Sequence, residues 1–190
     1  MNAPTIPVAA GCRLMAVAVS VLVLAYVLAA RADGQADAFR IVEPRRAVPG
    51  LRLEGIDGTV YDISRMGGKV VLVNFWATWC PPCVEELPSL QRLWDDMHPR
   101  GLEVLAVNAG EETGPVNAFL ESFRPRLEFP LLLDRNGDAF SAWKLFGLPT
   151  TFVLDKQGRL AFYATGPRPM DSKRIRAQLH GLLEEDVSDQ

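Results

Sequence analysis

Histidine and cysteine are scarce: 190 residues hold two of the first and three of the second. A structural zinc site takes four nitrogen or sulfur ligands, and neither His98 nor His180 stands in C-x-x-H spacing with a cysteine, so no metal is expected. G-x-G-x-x-G, the P-loop and G-x-S-x-G are all missing, which removes the common nucleotide-binding and hydrolase signatures. Basic residues number 20 against 23 acidic ones, and no basic stripe stands out, so nucleic acid is not an expected partner. Internal repeats and low-complexity tracts are absent too. The stretch DRNGD, Asp134 to Asp138, briefly resembles a calcium loop. Its sixth position is Ala139 rather than Gly and its twelfth is Leu145 rather than Glu, so a turn is expected there.

One long apolar run is present. From Leu14 to Ala30, LMAVAVSVLVLAYVLAA is 17 residues without a charge, set between Arg13 and Arg31. As a helix it reaches roughly 25 Å, slightly short of a bilayer core of about 30 Å yet longer than a usual signal-peptide core. Residues 13–32 are therefore expected to be either a retained signal-anchor or a signal peptide removed after Ala32, at the Ala30-Arg31-Ala32 site. Either outcome exports the remainder and leaves residues 1–12 as a short cytoplasmic segment or discards them. Cys12 opens the apolar run instead of closing it, so lipidation is not expected. Residues 33–48, DGQADAFRIVEPRRAV, read as a linker, 49–186 as one domain large enough for a proper core, and 187–190 as a tail.

The domain alternates strands and helices. Lys69 to Phe75 is a continuous apolar run suited to a central strand buried on both faces. A helix follows at once: Pro81 and Pro82 fit its first turn, Leu87, Leu90, Leu93, Trp94 and Met97 form its apolar stripe, and Pro88 should kink it. Gly101 to Asn108 reads as a second buried strand, Gly114 to Phe123 as a helix, and Phe129 to Asp134 as a short strand. Asp138 to Leu145 is a short helix, Thr150 to Leu154 and Leu160 to Ala164 an antiparallel hairpin, and Met170 to Glu184 the last helix. A shorter hairpin around Gly55 to Gly58 precedes them all. The expected fold is an α/β sandwich with a mixed central sheet flanked by helices.

Two cysteines remain for chemistry, Cys80 and Cys83, in FWATWCPPCVEE. As a staple they would close a four-residue ring, for which loop entropy gives only about 2 kcal/mol. As a metal clip they are two ligands short. As a reagent they are well placed. Cys80 at a helix N-terminus sits where partial positive charge favours the thiolate, so it is expected to be the exposed nucleophile, with Cys83 one turn in as the resolving thiol. Pro81 and Pro82 offer no N–H, which leaves the N–H of Cys83 as the nearest expected donor to the Cys80 sulfur. No Lys, Arg or His adjoins the pair, and Glu85 and Glu86 follow it, so a near-normal thiol and a reducing poise are expected.

W-C-P-P-C after a buried strand, V-E-E-L-P behind it and Gly147-Leu-Pro-Thr-Thr-Phe-Val-Leu-Asp155 further on together resemble the thioredoxin superfamily, and within it the TlpA/ResA/CcmG-like branch. The resemblance spans about residues 45–185. It implies a thioredoxin-like fold with an N-terminal β-hairpin and an extra strand and helix at 109–135. It also implies a cis Pro149 that opens a strand beside the dithiol. Trp79, Pro81, Pro82, Leu148 and Pro149 are then the expected substrate-binding residues, while Trp76 is expected to serve packing. Asn74 stands where thioredoxin has a buried acid. In this branch the acid three residues after the second cysteine takes that part, which makes Glu86 the expected proton relay and leaves Glu85 a solvated acid.

The expected activity is thiol:disulfide exchange on proteins at the outer face of a bacterial inner membrane, or in the periplasm after cleavage, with no cofactor. By resemblance its substrates are apocytochrome c or copper-site proteins, and a DsbD/CcdA-like membrane protein supplies the electrons. Two alternatives stay open: a Cu(I)-handling dithiol module in oxidase assembly, and a peroxiredoxin-like peroxidase. The peroxidase reading is weakened because Pro-x-x-x-Thr-x-x-Cys is absent before Cys83.

Overall fold

A computed structural model describes residues 37–186. The expected signal segment 13–32 with its cleavage site, Cys12 and residues 187–190 lie outside them. The described residues form strands β1 (Arg40–Ala47), β2 (Arg52–Glu54), β3 (Val60–Asp62), β4 (Val70–Trp76), β5 (Leu102–Ala109), β6 (Leu131–Asp134), β7 (Thr150–Leu154) and β8 (Arg159–Thr165). The helices are α1 (Pro81–Met97), α2 (Thr113–Ser122), α3 (Asp138–Ala142) and α4 (Lys173–Glu184). Six strands make one mixed sheet in the order β1-β8-β7-β4-β5-β6, and β2 pairs with β3 as a separate hairpin. The parallel pairs are β4 with β5 and β5 with β6; the others are antiparallel.

The apolar runs form strands because both of their faces are covered. Val70, Leu72 and Trp76 of β4 share one core with Leu87, Leu90 and Leu93 of α1 and with Ile175 and Leu179 of α4. Val71, Val73 and Phe75, pointing the other way, join Leu51, Ala139 and Trp143. This two-sided burial is why β4 and β5 show no alternation of apolar and polar residues. The architecture is the expected α/β sandwich, with α2 and β6 supplying the extra helix and strand. The helix α1 runs unbroken from Pro81 to Met97 with Pro88 inside it.

The N-terminal boundary differs from expectation. Residues 40–47, read as linker, are β1, the edge strand antiparallel to β8. The physical reason is the break in register between Ile41 and Arg46. Pro44 falls in that gap, where its missing N–H costs the ladder nothing, and a mostly exposed edge strand carries no apolar alternation to betray it. Arg45 anchors the strand by two 2.6 Å bonds to Glu185 and one of 3.2 Å to Asp155. Among the described residues no helix is long and apolar enough to cross a membrane.

Candidate active site

Topology brings four chain segments to one edge of the sheet. Strands β4, β5 and β6 run parallel, so the turns after Trp76, Ala109 and Asp134 leave from their carboxyl ends together. Ligand sites in parallel sheets form at that edge. Strand β7 runs the opposite way, and its first residue, Thr150, pairs with Phe75 near the end of β4. The start of β7, with Leu148 and Pro149 just before it, therefore lies beside the turn that carries the cysteines.

Cys80 and Cys83 are joined by a disulfide. Cys80 is the N-cap residue of α1, and its carbonyl accepts from the N–H groups of Cys83 at 3.0 Å and Val84 at 3.1 Å. The Cys83 N–H, expected to serve the Cys80 sulfur, is thus given to the Cys80 carbonyl in the disulfide form, where it opens the helix. A second correction concerns exposure. Cys80 is only 5% exposed and Cys83 1%, whereas Trp79 is 68% exposed. Cys80 nevertheless lines an open side of the site together with Trp79, Pro81 and Pro82.

That open side is a groove of about 540 Å³ lined by Cys80, Trp79, Pro81 and Pro82 on one flank and by Ala109, Gly110, Phe140 and Leu148 among its other walls. Asp134, buried at the end of β6, builds one wall by accepting from the N–H groups of Ala139 at 3.1 Å and Phe140 at 2.8 Å. The chain reaches that cap through Gly137 at φ 73°, a left-handed conformation that favours glycine. The stretch that resembled a calcium loop is this turn. Leu148 is half-buried and Pro149 buried, and the peptide bond between them is cis. The Pro149 carbonyl accepts from the Gly166 N–H at 2.9 Å.

Behind the cysteines, Glu86 is 4% exposed, one turn beyond Cys83 on α1. One carboxylate oxygen accepts from the Asn74 side-chain amide at 2.8 Å, the other from the Arg168 backbone N–H at 2.9 Å. Asn74 also donates to the Thr151 hydroxyl at 2.9 Å, so the residue that stands in the place of thioredoxin's acid ties Glu86 to β7. Burial pushes the Glu86 carboxyl up to about 7, and the two N–H donors, which favour the charged form, only partly offset it. Glu85, its neighbour, is exposed. Arg168 is half-buried with its guanidinium bonded to the carbonyls of Ala38, Thr165 and Gly166, and burial lowers its pKa.

The structure brings Trp79, Cys80, Pro81, Pro82 and Leu148 to one groove, with Cys83 and Glu86 packed behind. Trp76 is fully buried in the core. Sequence reasoning missed Arg168, Phe140 and Glu111. The last accepts from Thr78 and Asn108 beside the cysteine turn. None stands in a motif, and each reaches the site through a strand neighbour distant in sequence. Among the described residues no cluster of three or more His, Cys, Asp or Glu is placed to hold a metal ion.

Comparison with known proteins gives this geometry a context. Residues 44–163 match the AhpC/TSA family. The thiol-disulfide oxidoreductase ResA of Geobacillus thermodenitrificans is 38% identical over 134 residues, covering 70% of this chain and 75% of that protein. Among solved structures, one described as a thiol:disulfide interchange protein DsbE from Chlorobium tepidum is similar at a TM-score of 0.68 and 30% identity, over 75% of this chain and 99% of the other. A secreted thiol-disulfide isomerase from Corynebacterium glutamicum is similar at 0.66 and 26% identity, over 80% and 95%.

Proposed function

The chain belongs to the AhpC/TSA family and is a thiol:disulfide oxidoreductase of the TlpA/ResA/CcmG-like branch of the thioredoxin superfamily, and from that premise we propose that it is an exported reductant of protein disulfides working through Cys80 and Cys83. The observation that carries this reading is the Cys80–Cys83 disulfide at the first turn of α1, opening on an apolar groove and backed by a buried acid. In the reduced form the Cys80 thiolate attacks a substrate disulfide. A Cys80–substrate bond forms, and one substrate sulfur leaves as thiolate. The Cys83 thiolate then attacks the Cys80 sulfur, the bond seen here forms, and the second substrate sulfur leaves. Two electrons pass from the dithiol to the substrate.

Glu86 suits the second step. A carboxyl with a pKa of about 7 can take the Cys83 proton as that thiol becomes a nucleophile and return it to solvent afterwards. Trp79, Pro81, Pro82 and Leu148 line the groove in which the substrate strand would lie, and Pro149, without an N–H, opens β7 next to it. The reducing direction is supported by the absence of donors from Pro81 and Pro82 and by the neighbouring acids Glu85 and Glu86, which all disfavour a strongly acidic thiol.

Export is supported by the apolar run 14–30 and by the secreted isomerase among the similar structures. An exported reductant requires electrons from across the membrane, which a DsbD/CcdA-like partner would supply. Resemblance to this branch favours the haem-attachment cysteines of apocytochrome c as substrate, with copper-site proteins next. The test is reduction of a disulfide-closed C-x-x-C-H peptide by wild type and Cys80→Ser. Turnover lost in the variant supports the reading. Turnover kept in Cys80→Ser, or Cu(I) binding by a wild type that reduces nothing, contradicts it.

A further inference from the structure

Glu111 stands on the turn after β5, 33 positions from its partner Thr78. It accepts the Thr78 N–H at 2.7 Å on one oxygen and the Thr78 hydroxyl at 2.5 Å on the other. The first oxygen also accepts the Asn108 side-chain amide at 2.7 Å. Thr78 lies two residues before Cys80, and Trp76 and Asn108 are register partners at the ends of β4 and β5. One carboxylate therefore straps together the two turns that leave the carboxyl ends of adjacent parallel strands.

Both turns contribute residues to the lining of the groove. Trp79 and Cys80 follow Thr78 on one side, and Ala109 and Gly110 precede Glu111 on the other. The exposed indole of Trp79 cannot fix its own backbone by burial, so that backbone must be held at its ends. On the Cys80 side the first turn of α1 holds it, through the bonds to the Cys80 carbonyl. On the Thr78 side the Cys80 N–H closes the turn onto the Ala77 carbonyl at 3.2 Å, and the side-chain bonds to Glu111 tie that turn to the β5 turn. Charge-assisted hydrogen bonds of this length are the stronger kind, and a peptide gains from a groove of set width because less ordering is left to binding.

We propose that Glu111 is a positioning residue for thiol:disulfide exchange: by clamping Thr78 to the β5 turn it sets the width of the groove in which a peptide disulfide is presented to Cys80. This rests on Cys80 as the attacking sulfur. Glu111 touches no reacting atom and acts through Thr78. The bond pattern needs an acceptor pair on one side and tolerates a donor to the Thr78 hydroxyl on the other, so a glutamine can reproduce all three bonds without the charge.

The experiment compares reduction of a disulfide-closed peptide with reduction of a small aromatic disulfide, dithiobis-nitrobenzoate, by the pre-reduced full chain well below each variant's melting temperature. Glu111→Ala should lose about tenfold in kcat/KM on the peptide, mostly through KM, and stay within about twofold of wild type on the small disulfide. Glu111→Gln should stay within about twofold on both. Thr78→Val should lose less than Glu111→Ala on the peptide, and the double variant no more than Glu111→Ala alone, because the two act as one unit. Wild-type peptide kinetics in Glu111→Ala, or equal losses on both substrates, would overturn the proposal. Activity that survives Cys80→Ser would instead overturn the reading on which it rests.

Discussion

Two carboxylates lie near the cysteine turn, and their surroundings differ. Glu86 is buried on α1 and receives one N–H on each oxygen, from Asn74 and Arg168. Glu111 is half-buried on a turn and receives three donors, two from Thr78 and one from Asn108. At Glu86 desolvation outweighs the donors and holds the carboxyl near neutrality, where a proton can come and go. At Glu111 the donors come from the turn after β4 and from the end of β5, which suits the bracing role proposed for it. The residue type is the same; in the roles proposed above, burial and donor placement separate the proton relay from the brace.

Substitutions that separate chemistry from bracing test this contrast, beginning with the nucleophile common to both. Cys80→Ser should lower peptide disulfide reduction by on the order of a thousandfold or more, measured as thiol release, since a hydroxyl cannot replace the thiolate. Next comes Glu86→Gln, which removes the proton acceptor. It should slow exchange by about a hundredfold near pH 7, the lower end expected for a lost general base, and flatten the rate profile between about pH 6 and 8. A profile identical to wild type would remove Glu86 from the proton path. Smaller again is the roughly tenfold, peptide-selective loss in Glu111→Ala, and that variant should keep the wild-type pH profile.

A separate effect is on stability, and it has a definite sign. Glu86 binds its proton more tightly when folded, at about 7 against an ordinary value of 4.5, so its unfavourable burial is absent below about pH 4.5 and grows as pH rises to about 7. Above that the charged form costs roughly 3 kcal/mol. Glu86→Gln should therefore be more stable than wild type at pH 8, by about 1 to 3 kcal/mol because its amide meets the Arg168 N–H poorly, with the gain vanishing near pH 4. Urea melts at the two pH values would show it. An equal difference at both would mean that Glu86 is not the group that titrates.

Much of this was legible in the sequence because it is local. The apolar runs of β4 and β5 and the helix opened by Pro81 and Pro82 each lie within a short span, while Asn74 and Glu86, singled out by resemblance, are joined by a 2.8 Å hydrogen bond. What stayed hidden depends on pairing between distant segments. β1 carries Pro44, Arg45 and Arg46 on an exposed edge and has no periodicity to read. Glu111 meets Thr78 only because β4 and β5 are parallel neighbours in register, and Arg168 meets Glu86 across 82 positions. The low exposure of Cys80 goes with its place in the core cluster that α1 shares with β4, which spacing alone does not specify.

The order of attack, Cys80 first and Cys83 second, is the claim on which the roles of both acids depend. Mixing pre-reduced Cys83→Ser with a disulfide-closed peptide and mapping the adduct by mass spectrometry tests it directly. The account predicts a stable one-to-one mixed disulfide carried on Cys80, absent from wild type because Cys83 resolves it. Adducts that accumulate equally in wild type, or that form instead on Cys83 in Cys80→Ser, would contradict it.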